Sequence, residues 1–299
     1  MREKQLEKFN FTVQEKKKVR IIIDTDAACE ADDQFAIAHA LMTPRFLIKG
    51  IIAEQFVTEG GADSVEKSYA EIHKVMQFMR ITDVPVYRGA KVPLVDEQDI
   101  PVSEGADCII GEAQKEDESP LYVLCQGALT NVAVALNKCP EIADKFICIW
   151  IGGGFYPDGG WEFNLFNDIH AANVVFKSRV ELWQVPMSVY STMQLGYAEL
   201  QQKIMPCGEI GKYLFEQMIV LGMRAEWIMG ESWSLGDTPA LGLALNQGCG
   251  KYTTRKAPVF DLQGHYQDCE DNREIRVYYE IDSRYLLEDF FAKLAILYG

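Results

Sequence analysis

The feature that most constrains the fold is an alternation, repeated along most of the chain, of short apolar runs and longer helical patterns. The runs are β-branched and lack alternating polar residues, which is typical of strands buried on both faces of a sheet. The first run, VRIIID, is followed directly by the helical pattern QFAIAHALM. The pattern predicts an α/β fold: a doubly wound, mostly parallel central sheet with helices on both faces. The predicted strands of this series are 19–24, 46–54, 121–127, 146–154 and 180–187.

The rest of the chain extends this architecture without suggesting a second domain. A helix-prone stretch covers about 197–231, a loop turns into a helix at Asp237, and the strand REIRVYYEI precedes a closing helix. Only residues 92–119 have a weakly structured pattern. Because the chain has no repeat and no Pro/Gly/Ser-rich linker, we expect one domain over 19–299, preceded by a solvated N-terminal segment, 1–18.

Charge and cysteine usage narrow the possible partners and compartment. Asp and Glu number 44 against 29 Lys and Arg, which gives a formal net charge of -15. Such a surface repels nucleic-acid phosphates and anionic lipids, so we expect neither partner. The eight cysteines form no CxxC pair, the N-terminus carries no apolar signal segment, and no run approaches a membrane span. A cytoplasmic protein is predicted.

The stretch IIIDTDAACEADDQF (21–35) crowds acidic residues behind a buried strand. They are Asp24, Asp26, Glu30, Asp32 and Asp33. Carboxylates this close repel one another unless a cation neutralises them. Calcium, which takes six to eight oxygen ligands, suits such a site best, with magnesium as the alternative. Zinc is disfavoured because no histidine stands at ligand spacing to another histidine or cysteine. Helix capping explains the last two aspartates alone, but not the two on the strand side.

Two enzyme classes place Asp-x-Asp after a first buried strand. In haloacid-dehalogenase-like phosphatases a Thr or Val usually stands four residues after the nucleophilic Asp, whereas this chain has Ala28 there. The second class matches along most of the chain. IIIDTDAACEADDQFAIAHAL resembles the N-terminal signature of the inosine-uridine-preferring nucleoside hydrolases, and five further blocks follow in that family's order. They are DVPVYRGA, GALTNVAVAL, IWIGGGF, WEFNLFNDIHAA and GDTPALGLAL.

The resemblance implies a calcium centre. Asp26 looks like the base that deprotonates the nucleophilic water and also contacts the metal, and Asp33 and Asp237 look like the main carboxylate ligands. Thr130 looks like the residue that offers its backbone carbonyl to the ion. Such a site suits the cleavage of an N-glycosidic bond, because negative groups stabilise the oxocarbenium-like transition state.

The resemblance also implies a substrate and an assembly. Asp32 looks like a ribose-binding carboxylate, and Glu162 and Asn164 resemble the pair that holds the ribose from the far side. The expected reaction splits a small-molecule ribonucleoside into ribose and free base. Relatives of this kind are commonly homodimers or homotetramers, so self-association is expected.

The base side of the expected site, where the departing nucleobase would lie, departs from the family pattern. The loop is two residues longer, which adds Cys29 and Glu30, and Gly236 stands where many relatives have a base-protonating histidine. Two alternatives therefore stay open: hydrolysis of another N-ribosyl compound, or metal and ribose binding without catalysis. The candidates for contacts with the base are Tyr190, Glu231, Trp161, Trp227 and Trp233.

Overall fold

The fold is described from a computed structural model that covers residues 1–299. Twelve strands are present: β1 Val19–Thr25, β2 Phe46–Ala53, β3 Val86–Arg88, β4 Leu121–Cys125, β5 Ile147–Ile151, β6 Glu181–Val185, β7 Gln194–Gly196, β8 Ser232–Ser234, β9 Gly250–Lys256, β10 Val259–Phe260, β11 Tyr266–Gln267 and β12 Glu274–Ile281. Eight of them form the central sheet in the order β3-β2-β1-β4-β5-β6-β12-β9. All neighbouring pairs are parallel except β12 with β9. The predicted mostly parallel sheet is confirmed.

Helices cover both faces of this sheet. They are α1 Arg2–Leu6, α2 Asp33–Leu41, α3 Val57–Gly60, α4 Ser64–Phe78, α5 Glu104–Ala113, α6 Thr130–Lys138, α7 Phe163–Asn167, α8 Ile169–Lys177, α9 Met187–Tyr190, α10 Tyr197–Lys203, α11 Gly208–Gly222, α12 Thr238–Leu245 and α13 Ser283–Tyr298. No helix combines the length and the apolar character that crossing a bilayer requires.

Strand β1 shows why its apolar run is unbroken. Ile21 and Ile23 belong to one buried core, whereas Ile22 faces the other core on the opposite side of the sheet. Successive side chains of a strand point to opposite faces, so a strand covered on both sides needs apolar residues at every position. The same logic applies to β4 and β5, which are buried almost throughout.

Two expectations need correction. The N-terminal segment is not solvated throughout: Phe9 joins a core, and the buried Arg2 guanidinium donates to the carbonyls of Leu41 and Thr43 at 2.8 and 2.6 Å. The weakly patterned region 92–119 contains α5, whose first turn is capped by the Ser103 hydroxyl accepting from the Ala106 amide at 2.9 Å. Tertiary contacts stabilise both segments, and such contacts are not visible in local periodicity.

Candidate functional site

The carboxyl ends of the parallel strands meet along one edge of the sheet, and an acidic pocket lies there. Strand β1 delivers the acidic loop, the turn after β4 delivers Gln126, and Asp237 stands immediately before α12. The lining consists of Asp26, Cys29, Glu30, Asp32, Asp33, Gln126, Ile151, Glu162, Phe163, Asn164, Tyr190, Gly236 and Asp237. Six of the seven predicted site residues therefore come together, although they lie far apart in the chain.

Three carboxylates form the tightest cluster of the pocket. One oxygen from each of Asp32, Asp33 and Asp237 lies within 4.8 Å of the others, and all three residues are buried. The Thr25 hydroxyl donates to Asp33 and fixes that carboxylate at the end of β1. Asp26 is also buried and lines the same pocket.

Burial raises the pKa of every acid in this group, and the charges of neighbouring acids add to the rise for Asp26, Asp33 and Asp237. Burial, followed by the charge of Asp32, raises the pKa of Asp33 to about 8. Burial raises the pKa of Asp32 to about 6, and the amides of Asp237 and Gly236 oppose that rise. Burial and the charges of neighbouring aspartates raise the pKa values of Asp26 and Asp237 well above their ordinary range. A divalent cation would remove this repulsion.

The residues present fit a hard divalent cation. Most of the polar side chains that line the pocket supply carboxylate or amide oxygens, and no lysine, arginine or histidine is among them. The Gln126 side chain is buried and its Oε1 has no hydrogen-bond partner. A buried carbonyl oxygen without a donor is costly, and a cation or a ligand hydroxyl would satisfy it.

Thr130 is the one predicted site residue that the structure does not bring to the pocket. It begins α6, so its carbonyl points along the helix toward the amide four residues later. Its hydroxyl donates to Asp168 at 2.9 Å and accepts from Gln55 at 3.2 Å. The lining residue delivered by β4 is Gln126, four positions earlier, which the sequence interpretation missed. Its position directly after the strand was the signal that could have identified it.

Glu162 and Asn164 form another part of the pocket wall. Glu162 is the N-cap of α7, and both of its carboxylate oxygens accept main-chain amides. Asn164 donates through Nδ2 to the carbonyls of Gln126 and Ile151 at 3.2 and 2.9 Å. Both Nδ2 protons are therefore used, and only Oδ1 remains to meet a ligand, as an acceptor.

Among the candidates for the base side, only Tyr190 lines the pocket. Trp161 and Trp227 are each 64% exposed, Trp233 lies in the hydrophobic core, and Glu231 is exposed. The two additional loop residues, Cys29 and Glu30, do lie in the lining.

Behind the pocket lies a second pair of acids that the sequence interpretation did not connect. Asp24 does not line the pocket; its carboxylate accepts from Asn131 Nδ2 at 2.9 Å, and the same Nδ2 donates to Glu54 at 2.6 Å. Burial raises the pKa of Asp24 to about 7. The Asn131 amide thus links the carboxylates of Asp24 and Glu54 outside the pocket.

Comparison with known proteins agrees with this architecture. The sequence model of the inosine-uridine preferring nucleoside hydrolase family matches residues 21–286. The chain belongs to this family.

Named relatives show how divergent this member of the family is. A pyrimidine-specific ribonucleoside hydrolase, RihA, of Salmonella paratyphi B is 28% identical over 207 residues, which are 61% of this chain and 64% of that protein. The match thus spans somewhat less than two thirds of the relative. The solved purine-preferring ribonucleoside hydrolase from Gardnerella vaginalis has a TM-score of 0.76 at 20% identity, covering 93% of this chain and 98% of that one. A plant nucleoside hydrolase, PpNRh1, has a TM-score of 0.73 at 19% identity, with 92% and 98% covered. These structures share the fold of this chain.

Proposed function

We propose that this protein is a calcium-dependent hydrolase that splits the N-glycosidic bond of a ribonucleoside, releasing ribose and free base. Asp26, Asp33 and Asp237 would hold the ion, and Gln126 would take the place of Thr130 as the source of a carbonyl oxygen. Magnesium is the alternative ion.

The observation that carries this proposal is that the polar wall of the pocket offers acceptors. Asn164 has only Oδ1 to offer, Gln126 has an unpartnered Oε1, and the carboxylates add further lone pairs. A sugar carries several hydroxyl donors and no charge, so it matches such a wall. A phosphate or carboxylate ligand would be repelled by these groups.

The side chains of the pocket suit the chemistry of glycoside cleavage. Asp26 would accept the proton of the attacking water, while Asp32, Asn164 and Glu162 form the ribose side of the pocket. The buried carboxylates would stabilise the positive charge that develops on the sugar ring. A bound calcium ion would neutralise part of this acidic cluster, keep Asp26 ionised and lower the pKa of a nearby water.

The base side supports a second candidate substrate. No histidine, lysine or arginine lines the pocket, so none of these side chains is placed there to protonate a departing base. A cationic base, such as that of nicotinamide riboside, leaves as a neutral molecule and needs no such acid. An N-ribosyl compound of this kind is therefore the alternative to an ordinary nucleoside.

The test is the release of reducing sugar from purine and pyrimidine ribonucleosides, 2′-deoxynucleosides and nicotinamide riboside, with calcium and after chelation. We expect release that requires calcium, and we expect Asp26→Asn to lower kcat by about a thousandfold. Asp271→Asn, on the exposed surface, is the matched control and should have wild-type activity. If the folded, calcium-loaded protein cleaves none of these compounds but binds ribose, it is a binding protein rather than a hydrolase.

The same proposal extends to location and assembly. All eight cysteines are free, which fits a reducing compartment, and we place the protein in the cytoplasm. A homodimer or homotetramer is expected, and light scattering after size exclusion would measure the mass. A monomeric mass at micromolar concentration would contradict this part of the proposal.

A further inference from the structure

The hydrogen bonds of Glu162 raise a question about which residue contacts the ribose. Oε2 of Glu162 accepts the amides of Gly153 and Leu165 at 2.8 and 2.9 Å, and Oε1 accepts the Asn164 amide at 3.2 Å. The fourth donor is the Tyr190 hydroxyl, at 3.0 Å from Oε1. A carboxylate offers about four lone-pair positions. Glu162 is therefore saturated, although it is one of the residues expected to hold the sugar.

The Tyr190 hydroxyl has only one proton, and this proton is donated to Glu162. Toward any other group the phenol oxygen can therefore act only as an acceptor. Burial, followed by the charge of Glu162, raises the pKa of Tyr190 further above its ordinary value, so the phenol stays neutral at physiological pH. Unlike Glu162, the Tyr190 oxygen keeps unused lone pairs, and the residue lines the pocket.

The position of the Tyr190 ring depends on the glycine that precedes Asp237. A Cβ at Gly236 would lie 3.1 Å from Cδ2 of Tyr190 and 3.2 Å from Oδ2 of Asp32. The tyrosine ring thus lies against the main chain where a side chain at position 236 would otherwise project. The main-chain carbonyl of Tyr190 accepts from the Ser234 hydroxyl at 2.8 Å, which ties the end of α9 to β8.

We propose that the phenol oxygen of Tyr190, held in orientation by Glu162, accepts a hydrogen bond from one ribose hydroxyl and makes this contact in place of Glu162. Tyr190 is then a specificity-determining residue, and Glu162 is a positioning residue that keeps the phenol proton directed away from the sugar. The inference rests on the proposed function, because it assigns a contact within the same ribose site.

The experiment compares wild type with Tyr190→Phe on a ribonucleoside and on its 2′-, 3′- and 5′-deoxy analogues. In wild type, removal of the hydroxyl that Tyr190 contacts should lower kcat/KM by at least about tenfold. In Tyr190→Phe this penalty should vanish for that analogue while the penalties for the other two remain. The matched control is Tyr156→Phe, which loses a hydroxyl that donates to Gln184 at 2.8 Å outside the pocket lining. It should keep all three wild-type penalties.

Binding of ribose and the corresponding deoxyriboses, measured calorimetrically with calcium present, separates this inference from the proposed function. If wild type cleaves nothing, but Tyr190→Phe loses discrimination against one deoxyribose, the hydrolase proposal fails and the Tyr190 contact stands. If wild type cleaves nucleosides and Tyr190→Phe retains all three penalties, the Tyr190 contact is wrong. Absence of both cleavage and ribose binding would overturn both.

Discussion

Gly127 lies directly behind Asp26, the proposed general base. A Cβ at this position would meet Cγ of Asp26 at 3.0 Å and Cγ of Glu54 at 3.2 Å. Both neighbours are buried, so neither can move away freely. Any side chain at this position would force Asp26 or Glu54 to move by a few tenths of an ångström, so the close approach favours glycine.

Gly127→Ala should displace Asp26 and lower kcat/KM by at least about tenfold, because small misplacements of a reacting group are costly. Overpacking should also lower the free energy of unfolding by about 1–3 kcal/mol. The matched control is Gly111→Ala in α5, where a Cβ would meet nothing within 4 Å. That variant should keep wild-type activity, and its free energy of unfolding should rise by about 0.5–1 kcal/mol. Equal activity of the two variants would show that Asp26 tolerates the added methyl group.

Asp33 illustrates the cost of holding acids together. Burial raises the pKa of Asp33 to about 8, so at pH 8 and above Asp33→Asn removes a repulsive charge, and the chelated variant should have a higher Tm there than chelated wild type. Calcium should raise the Tm of wild type by mass action but have little effect on the variant. Differential scanning fluorimetry over a calcium titration measures both effects. Glu270→Gln, an exposed acid outside the pocket, should respond to calcium as wild type does. A calcium response of Asp33→Asn that equals that of wild type would exclude Asp33 as a ligand.

At the scale of elements, α13 closes one face of the sheet through a buried ion pair. Lys293, whose side chain is 7% exposed, pairs with Asp289 and donates to the Thr43 hydroxyl at 2.9 Å. Asp289 also contacts the buried His39 of α2 at 2.6 Å. The helix is thereby attached to the layer beneath it by charge as well as by its apolar stripe.

Asp289→Ala should lower the free energy of unfolding by about 3 kcal/mol, because it leaves a buried ammonium group without its partner. Glu288→Ala, one residue earlier in the same helix, removes only an exposed pair with Lys203. It should cost less than about 1 kcal/mol. Urea denaturation of both variants measures the difference. Similar losses of unfolding free energy in the two variants would mean that Thr43 and solvent satisfy the charge of Lys293.

The sequence predicted the elements whose pattern is local. The unbroken apolar runs of β1, β4, β5 and β6 and the closing helix α13 were identified because burial on both faces, or along one stripe, leaves a periodic signature. Strand β9 was missed because it is an exposed edge strand with little apolar patterning. Helix α5 was missed although its Ser103 cap is local, because its apolar pattern is weak and its contacts, such as the Ser103 hydroxyl donating to Asn131 at 2.6 Å, involve residues distant in sequence.

In the site, too, only the features with a local sequence pattern could be predicted. Acids crowded in one loop indicated a cation, and Asp237 was located by a motif. Gln126 was not found. Its position directly after β4 was a usable signal, but its unpartnered Oε1 is visible only in the fold. Saturation of Glu162 by four donors is likewise a three-dimensional property.

For the whole molecule, the buried acids determine how stability depends on pH without a cation. Burial raises the pKa values of Asp33 and Glu30 to about 8, from ordinary values of 3.8 and 4.5. Between about pH 6.5 and 8 the folded chain therefore binds protons that the unfolded chain has lost, so stability falls as pH rises. Burial lowers the pKa of His39 to about 4, so its opposite contribution, stability rising with pH, is complete by about pH 6.5.

We therefore expect the Tm of the chelated protein to fall by at least about 2 °C from pH 6.5 to 8. Saturating calcium should reduce or reverse this fall, because calcium binds the ionised acids. Chelated Asp33→Asn should show a smaller fall than chelated wild type. Adding salt to all samples suppresses the contribution of the net surface charge. An identical fall of the Tm in the variant would show that groups other than Asp33 cause the pH dependence.

The pocket is assembled from both ends of the chain, and this has a consequence for biosynthesis. The acidic loop is translated long before Asp237 and the strand β12, which pairs with β6. Until Asp237 is translated, a nascent chain carries the crowded carboxylates without the partner needed to enclose an ion. A product of translation interrupted before Asp237 therefore lacks one of the three clustered carboxylates and cannot form the complete site.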